Sequence, residues 1–406
     1  MLDPQPEDWK QTTVGAVLKN LVGGGTPPRE VAAYWNGEIP WASVKDITSR
    51  ADLPQECVTA EGIANSAARV VPAGTNILAM RMAVGTVARY SRDVAINQDL
   101  AALFPSEQLD SDFLFQWLKA NSERFKAVAT GTTVKGLRKD MLLQWPLALP
   151  PLDEQRQIAE VLRSVDAALF LNSGIEAHLT ALRETALWEL FSATEDEAGE
   201  LTVVGRLPQG WRVAPAEEVC EAVIDCKNRT PPIVDGGFAV VRTMNVRRGR
   251  FVRHNLATTD AASFEEWTKR GKPKPGDILI TREAPIGEVC AVPDNEPVCL
   301  GQRMMLYRPR ETDLVSGFLL YALQSRAVRE HLIRLGGGST VGHVRVGDIR
   351  RLPLPLPDLA KQREISDTLR DIDDAIDSVS ATIERLRGLK STLASDLLSG
   401  RVRVPT

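Results

Sequence analysis

Two stretches of the chain carry an apolar residue at nearly every third or fourth position for about forty residues. The first runs Ile158, Leu162, Val165, Leu169, Asn172, Ile175, Leu179, Leu182, Ala186 and Leu190. The second runs Ile365, Leu369, Ile372, Ile376, Val379, Ile383, Leu386, Leu389 or Lys390, Leu393 and Leu397. That spacing draws one apolar seam along a helix, with charges opposite. Pro150-Pro151 stand before the first helix, and Pro353, Pro355 and Pro357 before the second. They keep each approach extended, because proline excludes the residue before it from helix. Gly400 is the expected stop of the second helix. Forty helical residues reach roughly 60 Å, too long a seam for one small domain, so each helix needs a partner. The predicted partner is the other helix, packed as an antiparallel coiled coil with the globular parts at opposite ends. The alternative is that each helix covers its own domain only.

Between these stretches the period shortens. Runs with β character (Ile77–Met80, Thr86–Tyr90, Phe238–Arg242, Asp277–Thr281 and Met304–Tyr307) alternate with turns rich in Gly and Pro. A helical patch follows late in each region, at Asp112–Lys126 and Gly317–Leu335. The fold class expected is α/β (α+β): two globular mixed α/β domains in tandem, each followed by a long helix. The boundaries expected are 1–151 and 199–357 for the domains, and 152–198 and 358–400 for the helices.

The chain repeats itself. The stretch TGTTVKGLRKDMLLQWPLALPPLDEQRQI from Thr130 lies without a gap over GGSTVGHVRVGDIRRLPLPLPDLAKQREI from Gly337, at an offset of 207. The same offset continues through the helices, matching Leu162 with Leu369, Asp166 with Asp373 and Leu190 with Leu397. Upstream, Trp9 answers Trp211 and Thr26-Pro27-Pro28 answers Thr230-Pro231-Pro232. Ile77–Val87 answers Ile278–Val289 with one residue inserted near Pro285, and Asn97-Gln98 answers Gly301-Gln302. A tandem duplication follows, each copy a domain of about 150 residues and a helix of about 40.

Charge changes this picture more than composition does. The net charge of −4 argues against a nucleic-acid partner until it is divided along the chain. Residues 1–150 sum to −1 and residues 151–206 to −7, while residues 207–357 sum to +5. The acid therefore lies mainly in a helix, and the second globular part is basic enough to approach phosphate. The five cysteines are scattered without a CxxC pair, which reads as reduced thiols and suggests no metal site. No apolar run approaches a membrane span, and the start MLDPQPEDWK has no signal-peptide pattern. A cytoplasmic location is expected.

Signatures of chemistry are missing. The sequence has no GxxxxGK[ST] loop, no GxSxG elbow, no HExxH helix and no Asn-Pro-Pro-aromatic or Asp-Pro-Pro-aromatic motif. The Gly-Gly-Gly runs at 23–25 and 336–338 read as flexible turns, and the carboxylates of 194–200 as a solvated linker. What remains suits DNA. The run RTMNVRRGRFVRH supplies Arg242, Asn245, Arg247, Arg248, Arg250 and Arg253, and WASVKDITSR supplies Ser43, Lys45, Asp46, Thr48 and Arg50. Arginine pairs with guanine and asparagine with adenine in the major groove. The Gly-Thr-rich turns add Thr132, Thr133, Lys135 and Arg138 in one copy and Ser339, Thr340, His343 and Arg345 in the other. Small residues with hydroxyls and cations let backbone and side chain come close to phosphate or base edges. Arg81 and Gln98, with Arg282, Gln302 and Arg303, complete the candidates for DNA contact. The plainer reading of such runs is solvated surface, and a chain that only scaffolds other proteins through its coiled coil remains the competing function.

Taken in order, these motifs resemble the specificity subunits of Type I restriction–modification systems. The series is LPQGW at Leu207–Trp211, a Thr-Pro-Pro loop, a Gly-Asp-Ile-Leu strand with an Ile-Gly turn, Gly-Ser-Thr, then Pro-Leu-Pro-x-Pro and Gln-Arg-x-Ile. A long helix ending Leu-Leu-Ser-Gly closes it, and Pro-Pro-Leu-Asp-Glu-Gln-Arg-Gln-Ile in the first copy is the most specific stretch. The resemblance spans essentially the whole chain. It implies two target-recognition domains, each reading one half of a split asymmetric site in double-stranded DNA. It also implies a helix pair that measures the spacer and docks two modification (methyltransferase) subunits, with no catalytic residue in this chain. S-adenosylmethionine would lie in those partners, and ATP with Mg2+ in a restriction (translocase/nuclease) subunit where one joins. A methylation system lacking a restriction subunit fits the sequence equally. One departure stands at Lys361-Gln362, where the family has Glu-Gln, and it loosens the expected helix cap.

Overall fold

A computed structural model describes residues 6–49, 52–131, 135–193, 198–338 and 342–404. The chain divides into two compact units, Met1–Ser173 with Ala381–Thr406, and Gly174–Ser380. Each unit takes one globular part and a section of both long helices, so the dividing points fall within the helices.

The first unit opens with strand Lys10–Thr13, paired antiparallel with Pro146–Leu149 just before the first long helix. A four-stranded antiparallel sheet follows in the order Leu18–Gly23, Leu100–Pro105, Asn76–Ala79, Val87–Ala88. A second sheet has the order Glu56–Val58, Trp35–Ala42, Val94–Ile96, Arg69–Val71, and its two central strands run parallel. The helical patch is broken at Asn121 into Ser111–Ala120 and Ser122–Val128. Asp110 starts the first of these by accepting from the backbone N–H groups of Asp112 and Phe113, the usual way to satisfy donors at a helix N-terminus. Phe113, Leu114, Leu118 and Phe125 are buried in one cluster with Leu78 and Leu103 of the sheet and Ile158 and Leu162 of the long helix. Burying side chains of this size is worth about 1.5–3 kcal/mol each, so this contact holds the helix to its domain.

The second unit repeats the plan. Arg212–Pro215 pairs with Pro353–Leu356. A four-stranded sheet runs Cys220–Asp225, Met304–Pro309, Ile278–Thr281, Val289–Ala291. In the other sheet Phe238–Val241 runs parallel with Val298–Leu300 and antiparallel with Ala257–Thr259. The helical patch is again broken, at Ser325, into Ser316–Gln324 and Arg326–Leu335. Phe318, Leu319 and Leu323 pack with Ile365 and Leu369, as their counterparts do in the first unit. The strand registers also correct the repeat alignment. Leu78 pairs with Val87 and Leu100 follows Ala79 across the ladder, while Ile280 pairs with Val289 and Thr281 with Met304. The two hairpin pairs superpose at a steady offset of 202, which rises to 204 only by Leu100 and Met304, so no residue is inserted near Pro285. Met80 therefore answers Arg282, and Arg81 answers Glu283.

The first long helix is Leu152–Leu190, shorter than the 152–198 expected, and the second is Leu359–Ser399. Beyond the first, 198–202 and 205–208 form a hairpin, which takes in residues 198–200 of the solvated linker expected at 194–200. Gly400, with φ +77°, ends the second helix. At its start Asp358 accepts from the Lys361 N–H, supplying the cap that the departure at Lys361 had put in doubt. Gly24 is no flexible turn: a Cβ there would lie 1.9 Å from the Ile96 carbonyl oxygen. Glycine alone allows this approach, which Gly25 completes by donating its N–H to the same oxygen at 3.0 Å.

The helical seam differs from the one predicted. Ile158, Leu162 and Val165 are buried, but Ile175 and Leu182 are about half exposed. In the second unit the inward positions of the first helix are Glu176, Leu179, Arg183 and Ala186. On the second helix Lys390, not Leu389, turns inward. Within the first unit Lys390 meets Asp166, and within the second Arg183 meets Asp373 and Ser380 meets Glu176. In the first unit Glu154 and Asp166 meet Arg403, just past the second helix, and Lys390; in the second Glu176 and Arg183 meet Ser380 and Asp373, so the helices run antiparallel in each unit. No described helix is long and apolar enough to cross a membrane.

Candidate nucleic-acid interface

In each unit the parallel strand pair brings two polar segments to one edge. Strands Trp35–Ala42 and Val94–Ile96 end side by side, and the Asn97 N–H donates to the Ala42 carbonyl at 3.0 Å. Beyond them lie Ser43–Asp46 and Asn97–Asp99. The turn after Asn76–Ala79 joins this edge, because Met80 and Arg81 both donate backbone N–H groups to Asp99 O. The Gly-Thr loop joins it too. Arg81 bridges Gly136, and the Met82 N–H donates to Lys135 O at 3.2 Å. Four segments distant in sequence thus form one continuous rim.

The second unit builds the same rim with other side chains. Gly301 N–H donates to Val241 O at 2.8 Å, Arg282 N–H to Arg303 O at 2.9 Å, and Val344 N–H to Arg282 O at 3.2 Å. Glu283 bridges His343 and accepts from the ring Nδ1 side at 2.5 Å, while Arg303 Nε lies 3.1 Å from its other oxygen. Where the first rim has Arg81 and Asp99, the second has Glu283 and Arg303. Charge is reversed at equivalent positions.

The residues expected to touch DNA divide into three groups. Lys45, Arg81, Gln98, Lys135 and Arg138 are exposed on the first rim, and Arg247, Arg248, Gln302, Arg303, His343 and Arg345 on the second. Arg138 also pairs with Asp140 at 2.5 Å, and Gln98 accepts from the Thr26 hydroxyl at 2.5 Å. A second group serves the fold instead. Asp46 is buried and accepts from Ser43 N, Ser43 Oγ and Gln55 N, so Asp46 and half-buried Ser43 shape a turn. Asn245 is fully buried and bonds Arg242 N, Val252 O and His254 O, leaving nothing for adenine. Arg282 is buried and donates to Val344 O. Arg250 is turned to the second long helix, where Asp373 and Asp377 hold it, and half-buried Arg242 donates to Asn255 O. Thr132, Thr133, Ser339 and Thr340, with Arg50, form the third group and lie outside the described residues.

One basic surface is not evident from sequence. Lys227 and Arg229 meet Trp267, with their charged groups 4.8 and 5.1 Å from its ring. Lys269, Arg270, Lys272 and Lys274 follow directly along the chain and are exposed. Hydrogen bonds from Lys227, then Lys269, lower the Glu266 pKa to about 2, so the carboxylate stays charged and offsets part of the patch. The run KRGKPK is a visible signal, but only folding places it beside Lys227 and Arg229.

Residues 6–181 and 208–387 each match the Type I restriction modification DNA specificity domain. The chain belongs to that family. The two matched segments each contain one of the rims. The MjaVIII specificity subunit of a Type I restriction enzyme from Methanocaldococcus jannaschii is 22% identical over 409 residues, covering 98% of this chain and 94% of that protein. The crystal structure of a Type I restriction–modification S subunit from M. genitalium has the same fold, with a TM-score of 0.64 at 15% identity. The match covers 98% of this chain and 97% of that one. A further solved chain, described under complex assembly and conformational transition of the type I R-M system, gives a TM-score of 0.58 at 19% identity. It is covered over 98% of this chain and 100% of its own length. As a Type I specificity chain, the protein recognises DNA sequence.

Proposed function

We propose that this chain is the non-catalytic reading subunit of a Type I complex, in which each unit reads one half of a split, asymmetric site. One observation carries this: the two rims share a backbone frame but present different, partly charge-reversed side chains. A symmetric homodimer offers one rim twice and suits a palindrome, whereas two unlike rims on one chain suit unlike half-sites.

Catalysis then belongs to partners. Two modification subunits bring S-adenosylmethionine and methylate adenine, and a restriction subunit, where one joins, brings ATP with Mg2+. The first long helix supports such docking, since Phe170, Leu171, Ile175, Leu182 and Trp188 are all at least 48% exposed on it. Apolar side chains grouped along an exposed element mark interaction sites more often than singly scattered ones do. The complex works on cytoplasmic DNA.

The test is single-molecule mapping of adenine methylation in cells expressing the chain with its modification subunit. A bipartite motif that vanishes when the chain is deleted supports the reading. Methylation that is unchanged by the deletion leaves the scaffold reading as the better account.

A further inference from the structure

We propose that Met82 is a wedge that enters the base stack of the half-site read by the first unit. The inference rests on the DNA-reading role just proposed and adds a contact that alters the duplex.

Met82 is the tip of the turn between strands Asn76–Ala79 and Val87–Ala88, and it is 68% exposed between buried Met80 and buried Val84. Among the described residues Met82 belongs to none of the apolar clusters that hold its unit together. Its backbone is held in the left-handed region at φ +60°, a conformation that methionine rarely adopts. The turn is nevertheless firmly braced. Ala79 N–H donates to Thr86 O at 2.8 Å, Gly85 N–H to Ala79 O at 3.0 Å, and Met82 N–H to Lys135 O at 3.2 Å. Leu137 N–H donates to Met80 O at 2.7 Å, tying the loop beyond Lys135 to the same turn. Strain that surrounding bonds maintain is typical of functional positions.

The surroundings identify the ligand. Arg81 and Lys135 flank Met82 and are exposed, and exposed Gln98 stands on the same rim. An apolar tip among cations and amides is poorly suited to a protein groove lined with apolar side chains. It suits a nucleic-acid groove, where cations hold phosphates while Met, Leu or Phe pushes between base pairs. Unstacking one step also eases extrusion of a neighbouring base, which any enzyme acting on a base within a duplex requires. The counterpart in the second unit is Ala284, also at positive φ (+45°) but with only a methyl group. The wedge therefore acts on one half-site alone.

The experiment uses the complete modification complex and synthetic duplexes carrying the motif found by methylation mapping, with 2-aminopurine placed in turn at each position of both half-sites. The expected result is a several-fold rise in fluorescence on binding at one step of one half-site. It should be lost in Met82→Ala, retained in Met82→Leu, and accompanied by slower methylation of that half-site. Sequence-specific binding with no such step, or a step indifferent to Met82→Ala, overturns the wedge and leaves the reading role intact. Weaker recovery of the modification subunit with Met82→Ala, without any change in fluorescence, overturns it in favour of a protein contact. A complex with no sequence preference removes the reading role itself, and the wedge with it.

Discussion

Arg183 donates from Nε to Asp373 at 2.6 Å, joining the two helices of the second unit. In the first unit Lys390 donates to Asp166 at 2.5 Å. Lys390 stands at the repeat offset of 207 from Arg183, and Asp373 stands at the same offset from Asp166. One ion pair is thus drawn twice with the helices exchanging roles, as expected when a duplicated domain–helix unit closes antiparallel on its own copy. The domain helices reinforce both pairs. Gln116 and Lys119 donate to Asp166 at 3.0 and 2.8 Å, and Tyr321 donates to Asp373 at 2.9 Å.

Removing one partner should cost more than removing both. Asp373→Ala strands the Arg183 guanidinium and the Tyr321 hydroxyl where each is largely shielded from water. The expected loss is roughly 2 kcal/mol for the second unit, within the range for unpaired buried polar groups. Replacing Arg183 and Asp373 together by leucine should lose less, since no charge is left without a partner. Urea denaturation of the single and paired variants checks the order.

Acid should loosen the first unit through Asp166. Burial pushes its carboxyl pKa up, but hydrogen bonds from Lys119, Lys390 and Gln116 outweigh this, and it lies below the ordinary 3.8. The unfolded chain then binds the proton more readily, so stability from this group is complete above about pH 4 and falls as pH drops through the lower folded value. Asp166→Asn should flatten the fall in urea midpoint below about pH 4. An unaltered slope would mean that other carboxylates govern acid unfolding.

Gln155 and Gln362 perform one task in both units. Gln155 donates to Gln108 O and Pro150 O, both at 2.9 Å, and accepts from Asp110 N–H at 2.8 Å. Gln362 donates to Asp313 O and Pro357 O, both at 3.1 Å, and accepts from Val315 N–H at 2.8 Å. Each side chain locks the start of a long helix to the loop before a domain helix. Alanine at either position leaves buried backbone groups unpaired and should cost about 3 kcal/mol. Thermal unfolding should register losses of similar size for the two variants.

These glutamines also show what the sequence made legible. The repeat around Gln155 and Gln362 aligns without a gap, and with it came the tandem plan and the antiparallel helices. The candidate site was less legible, because residue type does not report burial. Asn245 suits adenine chemically, yet it closes a short helical turn from inside. Arg282 and Arg81 match as letters, but strand register sets Arg81 against Glu283 and sends Arg282 inward. The seam failed for a related reason: Ile175 and Leu182 fit a helical period, whereas ion pairs at Arg183 and Lys390 fix which side faces in.

The second rim should separate binding from folding. Arg247 and Arg248 are exposed, so replacing both by alanine should weaken binding for every sequence. It should also reduce the dependence of log affinity on log salt by about 1 for each phosphate that the removed cations had neutralised. Asn245→Ala should instead lower stability by about 1–3 kcal/mol and leave the methylation motif unchanged. Fluorescence anisotropy across a salt series, paired with a melting curve, distinguishes the two. The first globular part is nearly neutral, so the chain alone should bind DNA weakly at moderate salt. Tight binding without partners would count against phosphate binding shared with the modification subunits.

Spacer length tests the helices as a ruler. In the second unit Glu176 meets Ser380 and Arg183 meets Asp373, seven residues forward on the first helix and seven back on the second, and in the first unit Asp166 meets Lys390. A deletion that respects this register must take matching heptads from both helices, one between Asp166 and Glu176 and the other between Ser380 and Lys390. The seam then closes with its ion pairs re-formed, and each helix loses roughly 10 Å. At about 3.4 Å per base pair, the unread spacer should shorten by about three base pairs while both half-sites persist. Deleting the heptad from one helix alone breaks every pair beyond the cut and should abolish specific methylation. A double deletion that returned the original spacer would sink the ruler and assign the distance between half-sites to the partner subunits.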